Sequence, residues 1–427
     1  MRVLSVVHDL GHRGTQRAAQ EFALGLARRG VPVAVFAHSG GGPRADILRQ
    51  AGISVWISDN AHGAALREAQ EFKADIIHIH RRGLPSVHEA EVLGALKSPG
   101  SRTLETNVFG RVDRSASGRL IDIHMHLSKW TLYRWRKWAG RSCPQPALVL
   151  SYPVATSVFR PVDDNKSEMF RSALNVPGRP FVCGRIGKWD PALFRAFATL
   201  AAARDDAYLL CVDDAPDVQP AVQRFIPAPF RSRVHLLPKM LDDEQLRRFY
   251  CSLDCLLHAA TIGETFGMVM AEAMACGVPV VTCARPHKDN AQCEVVGPYG
   301  VVAGSLKGMP KALSCFYDLH RANALPFTAE AIRDSIVQRY DTNRVISRFL
   351  EIAAISLRSR DRISARAALM AAPDMVCDVS RQEARLLLAM CCTPTRLDER
   401  AAMHVIHNPV AYAAYQAARR FTGRAGH

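Results

Sequence analysis

Acidic residues are scarce beside basic ones in this chain: 40 Asp and Glu stand against 55 Lys and Arg, a formal net charge of +15 at pH 7 over 427 residues. That balance suits nucleic acid, anionic lipid or phosphorylated ligands and does not choose among them. No recognised nucleic-acid module and no basic and aromatic sheet pattern is present, so no nucleic acid is expected as a partner. Long hydrophobic runs are missing too. Nothing approaches the roughly 20 apolar residues that a membrane-spanning helix needs. The opening MRVLSVV, with one Arg and a short apolar run before His8 and Asp9, reads as a first strand rather than a targeting signal. The 12 cysteines contain no C-x2-C pair, and Cys183, Cys211 and Cys276 lie in apolar contexts. Reduced, buried thiols in a cytoplasmic protein are expected, and no zinc or other metal site.

What is present is a repeated alternation of short apolar runs with helix-period stretches. The length exceeds the roughly 250–300 residues at which one hydrophobic core stops growing, so two domains are expected. Strands are expected at residues 2–7, 31–37, 53–57, 76–80 and 102–106, and after the first a glycine-containing loop leads into a helix paced by Ala19, Phe22, Ala23 and Leu26. The polar stretch RPVDDNKSEMF, residues 160–170, breaks this pattern and reads as a linker. A second series follows at 180–184, 208–212, 234–237, 255–258 and 278–282. Alternating β and α predicts parallel sheets, in which ligands sit beyond the carboxyl ends of the strands. His8 and Asp9, His78 and His80, and Glu105 with Asn107 stand at such ends and are expected to line one rim.

The segment GETFGMVMAEAMACGVPVV, residues 263–281, carries the most chemistry. Glu264 and Glu272 are separated by seven residues across a loop-to-helix junction. Phe266 and Gly267 bring the backbone to a helix start, where unpaired N–H groups and the positive dipole end attract an anion such as a diphosphate. Glu272, two turns on, can then hydrogen-bond hydroxyls beside that anion. Ala271, Ala273, Ala275 and Gly277 let the helix lie close on its sheet, and the valines after Pro279 start a buried strand. Phosphate beside paired hydroxyls describes a nucleotide-sugar.

These residues resemble the E-x7-E signature of the retaining glycosyltransferases of family 4. The resemblance implies an α/β GT-B fold of two facing Rossmann-like domains with parallel sheets. Residues 1–165 would form an acceptor-side domain and 166–340 the domain that binds the nucleotide-sugar. Residues 341–427 would be C-terminal helices, partly packing back on the first. Glu264 would orient the donor sugar and Glu272 the ribose, with the backbone of Phe266, Gly267 and Met268 on the diphosphate. Arg185 and Lys188, in GRIGKWDP, would neutralise the departing phosphates. The Gly11 to Gly14 loop resembles the glycine loop that touches them from the first domain. The acceptor-side candidates are then His8, Asp9, His80, Glu105 and Asn107. No cofactor is implied; the donor would be a UDP- or GDP-linked sugar, and transfer would proceed with retention, without a separate general base, as domain closure expels water.

Three positions depart from the family. Asp190 occupies its usual Lys position, Glu105 stands where many members have His, and VDDAP, residues 212–216, replaces a glycine-rich turn. Two other readings therefore stay open: a GT-B epimerase acting on the nucleotide-sugar itself, with Asp9, His80 and Glu105 as acid/base groups, and a non-catalytic binding protein.

Two flanking segments complete the reading. KWTLYRWRKWAGR interleaves Lys129, Arg134, Arg136, Lys137 and Arg141 with Trp130, Tyr133, Trp135 and Trp138. That composition suits either a helix lying on an anionic membrane or a structural helix with inward Trp residues. The first alternative places the enzyme at the inner face of the membrane, on a saccharide or lipid-linked acceptor of exported or cell-envelope polysaccharide. Near the C-terminus, Ser380 and Glu383 form a capping-box pattern before a helical stretch, and Arg419, Arg420 and Arg424 read as a solvated tail.

Overall fold

The computed structural model describes residues 1–58, 63–140, 143, 145–162, 179–187, 189–213, 217–240, 242–285, 288–380, 382–383, 386–387, 410–411 and 414. Its contacts divide into two compact units, one containing residues 1–150 and 346–384, the other residues 151–345. Residues 163–170 of the expected linker at 160–170 lie outside the described residues, as do Lys188, Arg141, most of VDDAP and the arginines of the tail.

The first unit alternates strand and helix: β1 (Val3–Val7), α1 (Gly14–Arg28), β2 (Val33–Ala37), α2 (Arg44–Gln50), β3 (Ser54–Ile57), α3 (Ala64–Glu71), β4 (Ile76–Arg81), α4 (Val87–Leu96), β5 (Arg102–Asn107), α5 (Ala116–Arg119), β6 (Ile123–His126), α6 (Lys129–Ala139) and β7 (Ala147–Val149). The seven strands form one parallel sheet in the order β3-β2-β1-β4-β5-β6-β7. Strands covered on both faces need near-continuous apolar sequence, and VLSVV in β1 is buried at all five positions. The sheet holds two strands that periodicity did not announce. IHMH in β6 alternates His with apolar residues, yet His124 and His126 pack on Trp135, with ring centroids 5.0 and 5.4 Å apart.

Helix α6 turns two of its tryptophans into the interior. Trp130 and Trp135 are 1% and 0% exposed, in the core. Arg136 donates to the carbonyls of Ala147 and Cys377, and Lys129 pairs with Glu383. Trp130 and Trp135 therefore belong to this unit's own core, while Tyr133 and Trp138 are half-buried. No helix among the described residues is long and apolar enough to cross a membrane.

In the second unit a six-stranded parallel sheet runs β10-β9-β8-β11-β13-β15, built from β8 (Phe181–Ile186), α7 (Pro191–Ala203), β9 (Ala207–Val212), α8 (Val218–Phe225), β10 (Val234–Leu237), α9 (Asp243–Cys251), β11 (Cys255–Leu257), a two-residue β12 (Gly263–Glu264), α10 (Met268–Ala275), β13 (Val280–Cys283), a two-residue β14 (Asp289–Asn290), α11 (Gln292–Val296), β15 (Val301–Ala303), α12 (Met309–Arg321) and α13 (Ala329–Tyr340). Helix α10 lies close on its surroundings because its alanines carry little bulk: Ala271, Ala273 and Ala275 are all fully buried. Two further helices follow, α14 (Thr342–Arg358) and α15 (Arg362–Ala371). From residue 346 on, α14 belongs to the first unit, where Phe349 packs on Phe22 and His78 with ring centroids 5.6 and 4.7 Å apart. Ser380 and Glu383 form the anticipated capping box reciprocally, at 3.0 and 3.1 Å.

Candidate active site

In the second unit the strand order reverses between β8 and β11, the switch point at which open α/β sheets bind ligands. The loops after those strands carry Asp190, His258, Thr261 and Glu264. Rather than sitting in free loop, Glu264 is held as β12, paired with Asp289 and Asn290, and its carbonyl accepts the Ala291 N–H at 2.9 Å. Its side chain is only 14% exposed, with His258 Nε2 3.3 Å from Oε1. His258 directly follows β11, so the imidazole is fixed beside the carboxylate by the strand end.

Three residues further on, Gly267 starts α10 in the left-handed region (φ 92°), with no side-chain cap and no acid in the first turn. A Cβ at Gly267 would lie 2.1 Å from Met270 Cε and 3.8 Å from Glu264 Cγ, so the Glu264 side chain runs beside this helix start. Uncapped amides, a positive dipole end and a held carboxylate therefore adjoin. Phe266 anchors the turn, its ring edge-on to Tyr152 and Tyr340 with centroids 5.7 and 5.0 Å away; Met268 is buried. Glu272 is 1% exposed and accepts the Tyr250 phenol on Oε2 at 2.9 Å. Neither glutamate is a solvated surface charge.

Arg185 lies within β8 itself, and Asp190 in the loop that follows. Arg185 is 1% exposed and its Nη2 donates to Asp213 Oδ2 at 2.8 Å. Asp190 caps α7, Oδ1 accepting the Ala192 N–H at 2.9 Å. Its Oδ2 lies 3.1 Å from Arg285 Nη1, and Arg285 Nη2 donates to the Thr261 carbonyl at 2.8 Å. Arg285 thus ties the loops after β8, β11 and β13 together. Sequence reasoning missed His258, Tyr250 and Arg285; only His258 had a local signal, its place at a strand end.

In the first unit the expected rim comes apart. His80 is 3% exposed, Glu105 and Asn107 each 1%. Burial pushes the His80 imidazole down to about 3. Glu105 lies between Arg81, 3.5 Å away, and His124, while Asn107 Nδ2 donates to the Arg111 carbonyl at 2.8 Å and closes its own loop. These three are interior groups. His8 is exposed, and Asp9 Oδ1 accepts Gly11 N–H at 2.8 Å and Gln16 Nε2 at 2.9 Å, holding the loop that carries Gly11 and Gly14.

Residues 181–313 match the family model described as Glycosyl transferases group 1. The match spans the second sheet, both glutamates and the loops around them. No curated protein matches the chain. In fold it is similar to the Anabaena Alr3699/HepE structure in complex with UDP (TM-score 0.66, 16% identity, 83% of this chain and 100% of that one). A glycosyltransferase from Rickettsia africae is similar as well (0.67, 15%, 84% and 99%), as is a Listeria monocytogenes protein assigned as a UDP-N-acetylglucosamine 2-epimerase (0.54, 14%, 85% and 98%). These likenesses show the GT-B fold, and the family match falls within the second unit.

Proposed function

We propose that this chain is a retaining glycosyltransferase of the family 4 type, moving a sugar from a nucleotide donor to a hydroxyl of a saccharide or lipid-linked acceptor. The observation that carries this reading is the placement of Glu264 against the uncapped start of α10, with the buried Glu272 in the same helix, at the switch point of the second sheet. Amides and dipole receive the diphosphate, Glu264 orients the sugar beside it, and Glu272 takes the ribose hydroxyls. The group 1 domain and the UDP and UDP-glucose held by HepE support a UDP-linked donor.

Purified protein titrated with UDP- and GDP-sugars should gain thermal stability with its donor, since a ligand that binds only the folded state raises the melting temperature. Glu264→Ala should keep binding the nucleotide and lose sugar transfer; full transfer by that variant would sink the assignment. The epimerase reading is favoured by one fold neighbour. Donor incubated without acceptor separates the two, because only an epimerase then converts the sugar.

A further inference from the structure

We infer that His258 reads one hydroxyl of the donor sugar, its Nε2 binding that hydroxyl beside the carboxylate of Glu264. The inference rests on the glycosyl-transfer reading and adds to it a sugar contact from the end of β11. His258 is 5% exposed, and its Nε2 lies 3.3 Å from Glu264 Oε1. That contact does not complete a hydrogen bond: Nε2 is buried with no hydrogen-bond partner among the described residues. A buried polar atom in this state carries its desolvation penalty uncompensated. In a native fold such a group marks a functional role or a partner from outside the chain. Its position names the partner, because β11 borders the reversal of strand order at which open parallel sheets receive ligands. A hydroxyl both donates and accepts, so it satisfies Nε2 in either tautomer and also donates to the carboxylate next to it. An ionised phosphate or carboxylate only accepts, and its charge would oppose Glu264.

The two side chains stand on a loop clamped at its start, middle and end. The His258 N–H donates to the Val281 carbonyl at 2.9 Å and ties the imidazole to the sheet. The Thr261 carbonyl accepts from Arg285 Nη2 at 2.8 Å. Gly263, at φ 77°, runs so close to β14 that a Cβ there would lie 2.2 Å from the Asp289 carbonyl oxygen, and Glu264 is paired with Asn290. Ala259 and Ala260, which follow the histidine, are 1% and 3% exposed. Little of this loop is left to order when a sugar arrives, so a hydrogen bond from Nε2 is retained as affinity. The nucleotide grips lie elsewhere, at the start of α10 and at Glu272 with Tyr250. His258 therefore bears on the sugar and not on the nucleotide.

Calorimetric titration of the full chain with UDP, UDP-glucose, UDP-galactose and UDP-N-acetylglucosamine measures the affinity that a sugar adds to UDP. For the sugar that adds most, His258→Leu should weaken binding roughly fivefold to tenfold and leave UDP within about twofold. His258→Gln keeps a nitrogen near the place of Nε2 and should retain most of that affinity. Donors lacking one sugar hydroxyl at a time close a double-mutant cycle. One of them should bind the parent as weakly as His258→Leu binds the intact donor, and should lose nothing further in His258→Leu. In the parent, the imidazole nitrogen resonance absent from His258→Gln should shift with the UDP-sugar and not with UDP, which reads the contact even where His258→Leu does not fold. Equal losses of UDP and UDP-sugar in folded His258→Leu, or losses that add for every deoxy donor, overturn the hydroxyl contact. A sugar that adds no affinity to UDP overturns it as well. UDP binding in any of these cases leaves the glycosyl-transfer reading standing, whereas a chain that binds no nucleotide takes both down.

Discussion

The phenol of Tyr250, at the end of α9, donates to Glu272 in α10 across 2.9 Å, with both side chains buried. The tyrosine fixes which way the carboxylate faces. A hydrogen bond to a charged group contributes on the order of 1.5–3 kcal/mol. Tyr250→Phe should therefore weaken nucleotide binding roughly tenfold or more, at about 1.4 kcal/mol per decade, and lower the melting temperature. Nucleotide affinity equal to the parent's would show that Glu272 does not depend on this bond to grip the ribose.

Asp190 stands where the resembled family has lysine, and restoring that lysine should harm the protein. The carboxylate caps α7 and lies 3.1 Å from Arg285. Asp190→Lys removes a cap worth about 1 kcal/mol and sets a second cation beside a guanidinium that is itself only 11% exposed. A loss of about 2 kcal/mol or more in urea unfolding is expected, with no gain in transfer. Increased activity in Asp190→Lys would show that the family's cation is simply missing here.

Much of the fold was legible because parallel strands covered on both faces must be nearly all apolar, as VLSVV and VVTC are. The glutamate pair was legible because its spacing is local to one strand-turn-helix unit. Strand β6 was not, because histidine in IHMH carries no apolar signal although burial against Trp135 makes it core. The Arg285 to Asp190 and Tyr250 to Glu272 contacts join residues far apart in sequence, and no local pattern encodes such partners. Trp130 and Trp135 were ambiguous for the opposite reason: interfacial and core tryptophans have the same local spacing, and only the packing of α6 separates them.

Gly267 tests the start of α10 directly. An alanine there must hold φ near 92° and push into Met270, which is fully buried and cannot move its methyl group into solvent. Strained backbone of this kind costs on the order of 1–3 kcal/mol. Gly267→Ala should lower stability by at least that amount and weaken the nucleotide more than Tyr250→Phe does, because it displaces the amides and Glu264 together. A variant as stable as the parent would contradict the left-handed turn.

Acid should destabilise the first unit through its buried histidines. His38 and His80 are pushed down to about 3 and His78 and His126 well below their ordinary value, each chiefly by burial. In the unfolded chain these groups regain a value near 6.5. Below that pH the unfolded state binds more protons than the folded one, so stability present at neutral pH is lost as the pH falls from about 6.5 toward 3, by up to about 1.4 kcal/mol per pH unit for each histidine. His80 isolates the effect, since both of its ring nitrogens are buried without a hydrogen-bond partner among the described residues. His80→Leu removes two unsatisfied polar atoms beside Phe22, so it should be at least as stable as the parent at pH 7.5 and should flatten the acid slope by about one histidine's share. Urea unfolding at pH 7.5, 6 and 5 measures both. A parent whose stability does not change across that range would show that these imidazoles take up protons in the folded state, and that the burial seen here does not govern their charge.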